Sequence, residues 1–177
     1  MAKQFHELDD EDYEHHSKEV DGKTIYYKSS VSEMTKQEFG NLTKDDCEFI
    51  FQNLLSADSL ISKHFAGQNL KTFTASTLDN LIDLWNHDET QFDCAKSEFV
   101  NSIGSAFGHY INKMIGSKWI LLTDEYGTDY SCQIDEINLR AFPLNSVLKA
   151  IEQKRENSLD TIYLMLKEKK IELENDL

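Results

Sequence analysis

One proline, seven glycines and three cysteines among 177 residues narrow the possibilities early. Cys47, Cys94 and Cys132 are odd in number and far apart, which argues against a disulfide framework and for a reducing compartment. No Cys-x-x-Cys, His-x-x-x-His or His-Glu-x-x-His pattern is present, so no zinc signature exists. The few glycines are scattered rather than gathered in a strand-to-helix loop, which removes the usual phosphate cradle. Apolar runs are short, nowhere near the ~20 residues of a membrane helix. The opening stretch MAKQFHELDDEDYEHH is acidic without a hydrophobic region, so no secretory signal is expected and the expected location is cytoplasmic. Basic residues are also scarce. Eighteen Lys and Arg face 32 Asp and Glu, a net charge of −14 that disfavours direct contact with nucleic-acid phosphates.

What is present is enough chain for one domain with a real core, since ~150 residues bury roughly 70% of the unfolded surface. Residues 1–22 hold eight carboxylates against Lys3 and Lys18 and few apolar side chains, so they read as a mobile acidic arm. His15 and His16 beside them suit a metal tail poorly and an exposed polar pair well. After the turn signal Asp21-Gly22, residues 23–28 (KTIYYK) have strand composition. Thr43 is placed to cap a helix with Asp45 and Asp46 in its first turn, followed by a stripe of Cys47, Ile50, Phe51, Leu54 and Leu55. Ser76 with Asp79 three residues on signals a second helix, whose stripe is Leu78, Leu81, Ile82 and Trp85.

The clearest periodicity runs over 90–115, where Phe92, Ala95, Phe99, Ile103, Ala106, Tyr110 and Met114 share a face and Gly116 stands at the expected left-handed cap. Gly104 and Gly108 lie four apart in that helix. Each costs ~1 kcal/mol relative to Ala, so their presence implies a neighbouring backbone packed very close. The period then changes. Residues 118–123 form a strand apolar on both faces, Tyr130, Cys132 and Ile134 alternate with polar residues, and Ile137, Leu139 and Ala141 make a third strand of a meander. The connection Asp124-Glu125-Tyr126-Gly127-Thr128 is a hairpin in which Gly127 can supply a positive φ. If residues 24–28 pair with the outer side of 118–123, the doubly apolar strand becomes interior. Pro143 starts a helix with Leu144, Val147, Leu148 and Ile151, and Ser158 is placed to cap a last one. The expected fold is α+β: an antiparallel meander of three or four strands packed against about five helices, as one domain over 23–177 behind the arm.

The order of a helix bearing Gly104, Phe107 and Gly108, then Gly116 with Trp119, the turn Asp124-Glu125-Tyr126-Gly127-Thr128-Asp129, and Pro143, Val147 and Lys149 before a closing helix resembles the bacterial domain-of-unknown-function 3806 family. The resemblance covers about 103–166, implies a bacterial α+β protein, and brings no catalytic residues with it.

Candidates for chemistry give way to simpler readings. Asp124, Glu125, Asp129 and Asp135 have the oxygens a hard cation wants, but D-E-Y-G-T-D is not a calcium-loop spacing and a turn needs polar residues anyway. His109 with Cys94 or Cys132 suggests a thiol–histidine pair, yet both cysteines sit in apolar patterns that suit a small buried hydrophobe. His87-Asp88 fits a helix-to-helix connection, and Trp85 and Trp119 fit a core. No catalytic residue, metal site or cofactor is expected. The expectation is a non-catalytic protein that binds a protein partner, such as an immunity protein neutralising a basic toxin or effector, with Asp124, Glu125, Tyr126 and Asp129 at the contact. Its rivals are an adaptor or regulatory subunit that docks its last helix through Leu159 to Leu173, and a small metal-dependent hydrolase.

Overall fold

The computed structural model describes residues 13–29, 36–134 and 139–175. The elements run β1 (Glu14–Val20), β2 (Lys23–Ser29), β3 (Glu38–Gly40), α1 (Lys44–His64), α2 (Ala75–His87), α3 (Lys96–Ile115), β4 (Ser117–Asp124), β5 (Gly127–Ile134), β6 (Leu139–Ala141), α4 (Pro143–Glu152) and α5 (Ser158–Asn175). Among the described residues this is an α+β fold with five α-helices and two antiparallel sheets, β1-β2 and β3-β4-β5-β6.

Helix α3 is the axis of the molecule. Phe99, Ile103, Ala106, Phe107 and Ile111 are wholly buried in it, and α1, α4 and the larger sheet all pack on it. A row of the sheet faces this helix: Trp119 lies opposite Cys132 and Cys132 opposite Ala141. The glycines of α3 permit the close approach, each in its own way. At Gly104 the neighbour is backbone, the first turn of α4 at Leu144. At Gly108 it is the indole of Trp119, lying where a Cβ would stand. The close-backbone expectation therefore holds at the first glycine, while a ring takes that place at the second.

Local signals place most boundaries. Thr43 and Asp46 make a reciprocal capping box at α1, Gly116 ends α3 at φ 78°, and Pro143 opens α4. Asp21 and Gly22 both take positive φ (48° and 76°), the pair of angles a type I′ hairpin requires.

Several expectations are corrected. The described part of the segment read as an arm, Glu14–Val20, is a strand in register with β2 from Glu14↔Ser29 to Val20↔Lys23; residues 1–12 lie outside the described residues. Two of the charges read as part of that arm find partners on α5, Lys18 in Glu168 at 2.9 Å and Asp21 in Lys167 at 2.7 Å. Strand β2 consequently pairs with β1 and not with β4. The outer neighbour of β4 is the short β3, with Phe39 opposite Leu122, so β4 is interior as its two apolar faces demand but by a different partner. Helix α3 begins at Lys96 rather than residue 90, because Asp88 caps a separate 3-10 turn over Glu89–Gln91. Helix α2 is capped by Thr74 with Thr77, not by Ser76 with Asp79.

Asp79 is used elsewhere. Only 2% exposed, it accepts the backbone N–H groups of Leu159 and Asp160, both at 2.9 Å, and so caps α5 from a neighbouring helix. The expected cap, Ser158, is instead the first residue of α5.

Candidate functional site at the acidic end of the sheet

The β4–β5 hairpin closes with Asp124 opposite Gly127, leaving Glu125 and Tyr126 as the two turn residues and Gly127 at φ 132°. The Asp124 Oδ1 accepts the backbone N–H of Tyr126 at 2.8 Å, which fixes the turn through its own side chain. The Thr123 and Thr128 hydroxyls are 2.8 Å apart across the strands below it. Glu125 is exposed, and Tyr126 remains 58% exposed at the tip. Asp129, also exposed, accepts from the Asn145 amide of α4 at 3.1 Å. The four residues singled out in the sequence thus share one hairpin end; Asp135, the fourth carboxylate considered for a cation, lies outside the described residues.

Tertiary structure adds carboxylates that sequence reasoning did not assign to this end. Pairing of Glu38 with Thr123 brings the start of β3 beside the hairpin, with Lys36 at 3.0 Å from Glu38. The first turn of α1 arrives by way of Tyr130, whose hydroxyl donates to Asp46 Oδ1 at 2.7 Å. Phe49, one turn along α1, stacks on the Tyr130 ring at 5.3 Å, and the Trp119 indole meets its edge at 6.5 Å. The Thr43 hydroxyl first, then the Tyr130 phenol and the Thr43 amide, hold the Asp46 carboxyl below its usual range, so it stays charged. Burial, and after it the Asp46 carboxylate, push the Tyr130 phenol up to about 12. Tyr130 is therefore a neutral pin between β5 and α1. The only hint of it in sequence was a tyrosine at an apolar strand position, which reads equally well as core.

The other candidates resolve as packing. The Cys132 thiol donates to the carbonyl of Gly108 at 3.7 Å and not to an imidazole, and burial pushes it well above the usual thiol range. Burial, with Glu98 and Asp93 near, likewise raises the Cys94 thiol. His109 is half-buried, and burial followed by the Lys113 charge lowers its basicity. Trp85 stacks on Phe99 at 4.3 Å inside the core. His16 stacks on Tyr27 at 4.9 Å, with its Nε2 2.7 Å from the Ser29 hydroxyl. Among the described residues no three His, Cys, Asp or Glu side chains converge so as to hold a metal ion, and no described helix is long and apolar enough to cross a membrane.

No curated protein and no solved structure matches the chain. Residues 81–163 match the family model described as Domain of unknown function (DUF3806), so the stretch from the second half of α2 into α5, with Gly104, Gly108, Trp119 and the acidic hairpin inside it, belongs to that family.

Proposed function

We propose that the protein is a non-catalytic binding protein that engages a basic protein partner through the acidic end of its larger sheet. The observation that carries this reading is the set of carboxylates brought to one end of the sheet, Asp124, Glu125 and Asp129 on the hairpin, Glu38 on β3 and Asp46 of α1 at the Tyr130 hydroxyl, with Tyr126 exposed at the hairpin tip. Three separated segments contribute those carboxylates. Charge of one sign steers an oppositely charged protein and speeds encounter, while an exposed aromatic side chain at the tip supplies the contact area typical of interface anchors. An immunity protein, which neutralises a toxic basic effector by covering its active surface, is the class of binder this combination suits best. The adaptor reading has less support, because Leu159, Leu164 and Leu166 of α5 are buried within the chain itself and Ile171 is the exposed apolar side chain of that stretch. A hydrolase finds no support in the cysteine and histidine environments.

The test compares two baits in a lysate of the organism that encodes the chain: the native protein and a double charge reversal, Asp124→Lys with Glu125→Lys. The expected result is one basic protein captured stoichiometrically by the native bait at low salt, released by a salt step, and reduced at least tenfold on the reversed bait. Equal capture by both baits, or capture of no basic protein, refutes the proposal.

A further inference from the structure

The β1–β2 hairpin does not share the main core. Val20 and Ile25 are buried with Leu164 in a small second cluster, while Ile162 and Leu166 on the same helix α5 belong to the large one, and Tyr163 packs on both. Where the two clusters part, a cleft of about 400 Å³ lies between the hairpin and α5. Val20, Ile25 and Tyr27 form one wall; Ile162, Met165 and Leu166 form the other. Its volume falls within the ~300–1,000 Å³ of small-molecule sites, and its walls are of the apolar kind those sites use.

The mouth is charged but balanced. Lys18 stands 2.9 Å from Glu168 and also pairs with Glu172, and Lys169 lies 3.1 Å from Glu172. Two lysines and two glutamates therefore satisfy one another and leave no uncompensated charge for a charged head group. The hairpin that forms one wall is latched to α5 by further ion pairs, Lys167 to Asp21 at 2.7 Å and Lys23 to Asp160.

We infer that the cleft between the β1–β2 hairpin and α5 is a binding site for an uncharged, apolar small molecule. It stands apart from the acidic end and does not depend on a protein partner there. The neutral fluorophore N-phenyl-1-naphthylamine is the probe, titrated into the full chain. The expected result is saturable, blue-shifted binding of one probe per chain, at least tenfold tighter than for its charged relative anilinonaphthalene sulfonate. Met165→Trp, which fills the cleft, weakens binding at least tenfold, whereas Tyr126→Ala at the remote tip leaves it unchanged. Should Met165→Trp melt well below the native protein, Ile162→Phe blocks the cleft from the same wall by a smaller increment. Failure of the native chain to bind the neutral probe saturably, preference for the sulfonate, or undiminished binding by a folded cleft-filling variant overturns the inference.

Discussion

Replacing Gly104 by alanine sets two opposite effects against each other, and the structure decides between them. In a helix interior an alanine is favoured over glycine by about 1 kcal/mol, so on propensity alone Gly104→Ala stabilises α3. A Cβ at that position would stand 2.7 Å from Leu144 Cα, 3.1 Å from Leu144 N and 3.0 Å from Leu144 Cγ. Carbon atoms pack comfortably at about 3.5–4.0 Å, so α4 must retreat by close to an ångström. Two of the three atoms met are backbone, and no rotamer change relieves them. A retreat of α4 also loosens Val147 and Ala150, both fully buried. Overpacking of this kind costs about 1–3 kcal/mol, and with immovable backbone the upper end applies. Subtracting the propensity gain leaves a net loss of about 2 kcal/mol, equivalent to a melting temperature lower by about 4–8 °C in a chain of this size. Urea unfolding and thermal melts measure it directly. Gly40→Ala is the control, because there a Cβ would meet Leu121 Cβ at an ordinary 3.7 Å. A Gly104→Ala protein as stable as the native one, or more so, refutes the reasoning.

The neighbouring glycine gives a different pattern, since what a Cβ would strike at Gly108 is the Trp119 ring at 2.0 Å. Gly108→Ala and Trp119→Leu are each expected to destabilise, but the double variant should be better than additive by at least about 1 kcal/mol in a double-mutant cycle, whereas Leu144→Ala should give Gly104→Ala little relief. Burial, opposed by the two backbone N–H groups it caps, raises Asp79 to about 6 from an unfolded value near 3.8, so between these the folded protein holds the proton more tightly. Its contribution to stability is therefore largest below about pH 3.8 and declines by about 3 kcal/mol as the pH rises through about 6. Against Asp79→Asn, whose side chain does not titrate, the stability difference measured from pH 4 to 7 should shift in that direction; a flat difference or the reverse slope rejects the assignment.

Much of this architecture was legible because it rests on local stereochemistry. The Thr43 capping box, the left-handed Gly116, Pro143 at the start of α4 and the Asp21-Gly22 turn each follow from what one or two residues can do with their own backbone. Several of the misreadings share one cause, a local group answered by a distant one. The segment ending in Asp21 looked solvated because carboxylates dominate it and apolar residues are few, yet Lys18 and Asp21 find partners on α5, in Glu168 with Glu172 and in Lys167. Asp79 looked like a cap for its own helix and instead caps a helix eighty residues away. Strand β3 has only three residues and earns its place by covering the outer edge of β4, which no periodicity reveals. The hairpin carboxylates were visible as a turn. That Asp46 joins them depends on a single tyrosine hydroxyl crossing between elements.

Among the described residues charge is not spread evenly, and this sorting separates the two sites. Lys18, Lys23, Lys167, Lys169 and Lys170 all make ion pairs along the hairpin and α5, so one side of the molecule is close to internally neutralised. At the acidic end Lys36 answers Glu38, while the hydrogen bonds of Asp124, Asp46 and Asp129 come from backbone, hydroxyl and amide groups that leave their charge intact. Among the described residues the acidic end therefore keeps its negative charge, whereas the rim of the cleft does not. Ionic strength acts on these surfaces unequally. Screening over a Debye length of about 8–10 Å weakens attraction to the acidic end, whereas an uncharged ligand in the cleft has no Coulombic attraction to lose. Partner release by salt with probe binding retained is the behaviour this charge distribution requires.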